Sequence, residues 1–226
     1  MNKEKLKNIF TKIQKINPEY SLEEWVYSVG GLLQFITNPT DEMKHAAMIQ
    51  KDPRSIRYIE NPSQRIQFLA VKKFPISIEY IKNPSEELQM MAVRDYPKAI
   101  QYIKNPSYEV QLAAVEKYPY SIQFIENPSP RLQMAAIERF PYSIRHIKNP
   151  SKKVQLVSVK NNPYSIQFIQ NPCEEAQLLA VEGNPIVLEK GFIKNPTPKV
   201  RELYLRMTGK KYVPVADNKR WIDGWY

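Results

Sequence analysis

The chain is poor in the residues that catalysis and metal binding usually draw on. Of its 226 residues one is cysteine, Cys173, and two are histidine, His45 and His146. No internal disulfide framework is possible, and no Cys/His cluster has metal-ligand spacing. There are six glycines and none between residues 38 and 182, which removes Gly-rich phosphate-cradling loops from that stretch. No apolar run reaches the ~18 residues needed to cross a bilayer. The segment from Met1 to Ile16 is broken by Lys3, Glu4, Lys5, Lys7, Lys12 and Lys15, unlike the apolar centre of a signal peptide. A soluble, cytoplasmic protein without disulfides, metal, cofactor or small-molecule substrate is the expectation.

Charge of one sign is in excess, but its placement tempers what it implies. The net charge is +10. Residues 1–16 hold five lysines against one glutamate, and residues 198–226 hold seven lysines or arginines against three acids. The stretch between them is close to neutral, without the continuous basic stripe that tracking a phosphate backbone would use.

What the chain has in abundance is a period. Asn-Pro-Ser begins at Asn61, Asn83, Asn105, Asn127 and Asn149, a spacing of 22 residues, and Asn171-Pro172-Cys173 is the next copy. Asn38-Pro39-Thr40 lies one residue out of step before them and Asn195-Pro196-Thr197 two out of step after them. Such a period signals an array in which each unit buries its apolar face only against its neighbours. The reading is about eight units, with residues 1–37 a capping helix and an aberrant first unit, 38–194 the repeat array, and 195–226 a last helix and capping tail.

Columns are numbered here from the Asn of each unit. Asn followed by Pro predicts a helix start with Asn as N-cap and Pro at the first helical position, which puts Gln64, Glu86 and Glu174 at a capping-box position. Columns 6 and 8–11 are apolar, as in Val110, Leu112, Ala113, Ala114 and Val115. Column 15 is proline in every full unit from Pro75 to Pro185, and Pro53 stands one residue later in the unit of the out-of-step Asn38, ending the first helix after about twelve residues and seeding a short second one. Isoleucines at columns 18 and 21, such as Ile122 and Ile125, fit one or two turns of α or 3₁₀ helix. The fold class is therefore an all-α solenoid.

The motif Asn-Pro-Ser-x-x-Val-Gln-x-x-Ala-Val of Asn105–Val115, with Pro-Tyr-Ser-Ile at 119–122, resembles the leucine-rich repeat variant family and, more distantly, HEAT repeats. It also resembles 22-residue-repeat proteins of AT-rich bacteria and their phages, and the wealth of Lys, Asn, Ile and Tyr agrees with that. The resemblance spans roughly residues 38–205. It implies alternating α and 3₁₀ helices in a right-handed superhelix and a protein that binds other proteins, a phage or bacterial inhibitor or adaptor being one form. The column where those families usually carry Arg holds Gln here, at Gln67, Gln89, Gln111, Gln133, Gln155 and Gln177. On a helical wheel that column lies beside the buried arc, so a ladder of amides satisfying backbone groups is expected.

Two surfaces stand out as candidates. Columns 16 and 19, three apart on a short helix, carry Tyr120/Gln123, Tyr142/Arg145 and Tyr164/Gln167 in successive units. Tyr and Arg are enriched at binding hot spots, and this strip is the expected partner-binding site. The alternative is a nucleic-acid-binding protein that uses the basic termini and the 127–170 patch at Arg131, Arg139, Lys152, Lys153 and Lys160. The histidines lie in apolar columns and the aromatics of column 14, such as Phe74 and Tyr118, at the bend, so packing is expected of both. Cys173 reads as a neutral replacement for serine. Leu6, Ile9, Phe10, Ile13 and Ile16, and the Trp221-to-Tyr226 cluster, read as caps or docking elements.

Overall fold

A computed structural model of the chain describes residues 38–214. The expected terminal caps lie outside these residues. Every regular element among the described residues is helical, and the pattern is the all-α solenoid type. The described residues divide into two compact units, unit 1 ending at Ala113 and unit 2 beginning at Ala114.

In unit 1 the α-helices α1 (Asp41–Lys51), α2 (Gln64–Lys73) and α3 (Glu86–Asp95) alternate with the 3₁₀ helices η1 (Pro53–Tyr58), η2 (Pro75–Tyr80) and η3 (Pro97–Tyr102). The helix α4 (Tyr108–Lys117) contains the division. In unit 2 follow η4 (Pro119–Phe124), α5 (Pro130–Arg139), η5 (Pro141–His146), α6 (Lys152–Asn161), η6 (Pro163–Phe168), α7 (Glu174–Gly183), the single turn α8 (Ile186–Glu189) and α9 (Pro198–Thr208). Within each unit, successive α-helices pack on one another, successive 3₁₀ helices do the same, and each α-helix also rests on the preceding 3₁₀ helix.

The bend between the two helices of a repeat turns on column 14. Its N–H still closes an α-helical bond, as from Phe140 to the Ala136 carbonyl, while its own carbonyl opens the 3₁₀ helix by accepting from column 17, as from Ser143. The following proline lacks a donor and costs nothing as the first residue of the new helix. With three residues per turn, columns 18 and 21 fall on one edge and columns 16 and 19 on another. Column 18 is sealed, Ile78, Ile122, Ile144 and Ile166 being at most 1% exposed, whereas column 19 is exposed throughout. From Ser77 to Ser165 column 17 is fully buried and small, serine in four repeats and Ala99 in one.

The helix start differs from the sequence expectation by two residues. The N-cap is the Ser or Thr of column 3: Ser63, Ser85, Ser129 and Ser151 accept from the N–H three residues on at 3.3–3.4 Å, and Thr40 does so at 3.2 Å. Gln64, Glu86 and Glu174 therefore occupy the first helical position and close no capping box with Asn. Apart from the four-residue α8, the α-helices are ten or eleven residues long. Asn38, Asn61, Asn105 and Asn149 instead have φ between 48° and 59°, the left-handed region that Asn tolerates better than other side-chain-bearing residues. Glu86 accepts from Ser107, the next cap.

The amide ladder is present. Each column-7 Gln donates through Nε2 to the carbonyl of its own column-2 proline at 2.9–3.0 Å, from Gln67 to Gln177. Gln155 Oε1 also accepts the N–H of Cys173, and Gln177 Oε1 that of Thr197, so these two amides bond one repeat to the next. Arg201 takes the same place in the last helix, its Nε donating to Pro196.

The two-residue slip before Asn195 is absorbed after α7. There the chain makes one α turn instead of a 3₁₀ helix, then reverses at Gly191 with φ 71°. Phe192 N–H bonds back to the Val187 carbonyl, five residues earlier, as in a Schellman closure. At Cys173 the serine cap is missing and no side chain replaces it. Cys173→Ser is expected to stabilise the protein by about 1 kcal/mol by restoring the cap, read as a higher urea midpoint at unchanged slope.

Candidate partner-binding strip

Column 16 places Tyr120, Tyr142 and Tyr164 at the second position of η4, η5 and η6, all in unit 2 and all half-buried. The 3₁₀ period brings Gln123, Arg145 and Gln167 to the same edge, each exposed. The tyrosines do not stand alone. Tyr118 meets Tyr120 edge to face with ring centres 5.7 Å apart, Tyr120 meets Phe140 at 5.2 Å, Phe140 meets Tyr142 at 5.6 Å, and Tyr142 meets Phe168 at 5.5 Å. Columns 14 and 16 thus interleave across the repeats, and column 20 of the next repeat joins them through His146, 5.1 Å from Tyr120, and Phe168. Edge-to-face contact at these distances is the favoured arrangement of aromatic quadrupoles.

Arg145 sits over this seam, its guanidinium carbon 5.0 Å from the centre of the Phe168 ring. Burial pushes the Tyr120 phenol above its ordinary range, and the nearby Arg145 opposes that shift. Gln167 donates to the Tyr164 carbonyl of its own helix at 2.9 Å. The Tyr164 hydroxyl accepts from Asn184 at 3.0 Å and its ring meets Phe192 at 6.0 Å. The third tyrosine is therefore held by the irregular repeat after it, while Tyr120 and Tyr142 share the regular seam.

His146 is half-buried in the seam, and burial, then Arg145, lowers its pKa below the usual histidine value. Its folded pKa is depressed, so the unfolded chain takes up the proton first as pH falls through the ordinary value of about 6.5 and stability is lost below it. The neighbouring repeats carry Phe124 and Phe168 in this column. His146→Phe should keep the packing and reduce the drop in melting temperature between about pH 7 and pH 5. The carboxylates of Glu174, Glu175 and Asp52, lowered by hydrogen bonds to partners beside them, act in a more acid window.

The basic residues of the alternative surface lie on other elements. Arg131 and Arg139 are exposed at the two ends of α5, and Lys152, Lys153 and Lys160 are exposed on α6. Lys152 is engaged, its Nζ 2.6 Å from Glu175 Oε1 of the next helix, and Lys199 pairs with Glu174 in the same manner at 3.0 Å. These bonds tie column 4 or 5 of one helix to the next, a signal that comparing successive units column by column could have found. His45, on α1, is half-buried. Among the described residues no three His, Cys, Asp or Glu gather as a metal site, and no helix is long and apolar enough to cross a membrane.

No protein-family model, curated protein or solved structure matches the chain.

Proposed function

We propose that the protein is a non-enzymatic repeat scaffold that binds another protein through the tyrosine strip of unit 2. The observation that carries this reading is the half-exposed aromatic seam of Tyr118, Tyr120, Phe140 and Tyr142, with Arg145 laid along it. Such a surface is rigid before binding, so a partner meets aromatic area whose ordering cost is already met within the fold. The edge-to-face contacts hold the rings in place, and Arg145 supplies a directional polar tip. An inhibitor or adaptor of bacterial or phage origin acting in the cytoplasm is one form of this function, supported by the likeness of the repeat to leucine-rich repeat variants and by the composition.

The test is recovery of partners by the full chain and by a variant carrying Tyr120→Ala, Tyr142→Ala and Tyr164→Ala. A partner retained by the wild type should be lost by the variant while the helical circular-dichroism signal persists, and binding should be reproduced with the purified pair. Equal recovery of every partner by a folded variant would remove the strip as the site.

A further inference from the structure

Column 20 carries Tyr80, Tyr102, Phe124 and Phe168, and between the last two it carries His146. The imidazole takes the place that a phenyl ring takes one repeat on. His146 meets Tyr120 with ring centres 5.1 Å apart and Phe168 meets Tyr142 at 5.5 Å, both pairs at 76° between planes. The packing role is the same, but only the imidazole changes charge between about pH 5 and pH 8. The strip therefore has a titratable ring set into its seam, half-buried and in contact with one of its tyrosines.

Among the described residues no carboxylate compensates a positive charge on that ring. Its helix, η5, packs against η4, η6, α5 and α6. From η4 Tyr120 lies against it, η6 has Tyr164 as its one titratable residue, and its own helix adds Tyr142 and Arg145. On α5 stand Arg131, Glu138 and Arg139, and on α6 Lys152, Lys153 and Lys160. None of these six shifts His146, whereas burial and then Arg145 both disfavour its protonated form. The closed seam thus holds the neutral ring better than the charged one, while an arrangement with the imidazole in water takes the proton at the ordinary value of about 6.5. As pH falls below that value, protons shift the population from the first arrangement to the second.

Resting on the reading of the strip as a protein-docking surface, we propose that His146 is a proton-operated latch on it. The neutral ring closes the seam against Tyr120 and keeps the docking surface in shape. The charged ring leaves Tyr120 for water, and docking is withdrawn in mildly acid solution. Tyr120 then loses one ring contact and keeps those to Tyr118 and Phe140, so the change is confined to the seam. The sealed isoleucines of column 18 take no part in it.

Nuclear magnetic resonance of the full chain between about pH 7.5 and pH 5 tests this. His146 is expected to titrate below the ordinary histidine value, and the Tyr120 ring resonances to move with the same midpoint, while the methyl resonances of Ile78 in η2 stay in place. In His146→Phe the Tyr120 resonances should hold still over the same range, and in His45→Gln, on α1, they should move as in the wild type. Tyr120 resonances that ignore the titration of His146, the same movement in His146→Phe, or movement of Ile78 in step with Tyr120 would overturn the proposal. So would titration of His146 above the ordinary value, which would show that the Tyr120 ring holds the imidazolium in place. With a purified partner of the strip, the wild type should lose affinity between about pH 7 and pH 5, and His146→Phe should bind alike at both. Binding that needs the tyrosines but falls equally with pH in both proteins, or in neither, sinks the latch and leaves the docking surface standing. If the tyrosine variant captures that partner as well as the wild type does, the docking surface itself falls, and the latch on docking with it.

Discussion

Replacing Ile144 with alanine is expected to lower the stability by about 2–5 kcal/mol, the range for emptying a fully buried aliphatic site. Ile144 is 1% exposed on the inner edge of η5, a 3₁₀ helix that packs between η4 and η6 and beneath α6. The loss should appear in urea unfolding of the full chain as a lower midpoint. Arg145→Ala, one residue on and exposed, should change stability far less, since it removes a contact over a ring and no buried volume. If both variants melt alike, the core does not lie where columns 18 and 21 place it.

The second large effect is expected at Gln155. This side chain is 8% exposed, donates to the Pro150 carbonyl at 3.0 Å and accepts the Cys173 N–H at 2.9 Å. Gln155→Leu fills much the same volume but strands both backbone groups. An unpartnered buried polar group costs about 1–3 kcal/mol, so a loss of about 2–4 kcal/mol is expected. Gln123→Leu, on the exposed edge of η4, should stay within ~0.5 kcal/mol of the wild type. Gln155→Arg offers a gentler replacement, because Arg201 already reaches the Pro196 carbonyl from the same column. It restores the donor but not the acceptor, and should lie between wild type and Leu. Equal stability of the Leu variants at 155 and 123 would show that the amide ladder carries no weight.

Much of this architecture was legible in the sequence because the period repeats every physical constraint several times. Pro at column 15 and Ile at 18 and 21 leave a six-residue helix little choice but a three-residue turn with its isoleucines inward. The Gln column was legible for a similar reason, since an amide beside a buried arc must find backbone partners. The helix start was not. Asn-Pro-Ser offers two good caps, Asn with Pro after it and Ser two residues later, and local chemistry favours either. The cap falls to column 3 both where the Asn has positive φ, as at Asn61 and Asn149, and where it does not, as before Ser85 and Ser129.

The strip was half legible. Three-residue spacing put Tyr120 with Gln123 and Tyr142 with Arg145 on one edge, but it says nothing of rings that arrive from the adjacent repeat. Phe140, His146 and Phe168 meet the tyrosines through the stacking of one 3₁₀ helix on the next. The clue lay in columns 14 and 20, aromatic or histidine through the centre of the chain: the same residues read singly as bend packing form one seam once the repeats are stacked.

The central claim is that each unit packs only against its neighbours, so any whole unit is dispensable and no part of one is. Removing residues 127–148 joins Glu126 to Asn149 and leaves every column in register, since the deletion spans one period of 22. Removing residues 127–137 takes away half a unit. The measurement is the thermal melt of both deletion proteins by far-ultraviolet circular dichroism. The whole-period deletion should keep its helical signal per residue and unfold cooperatively, while the half-unit deletion should lose both. If the two are equally unfolded, the units are not interchangeable and the nearest-neighbour account is contradicted.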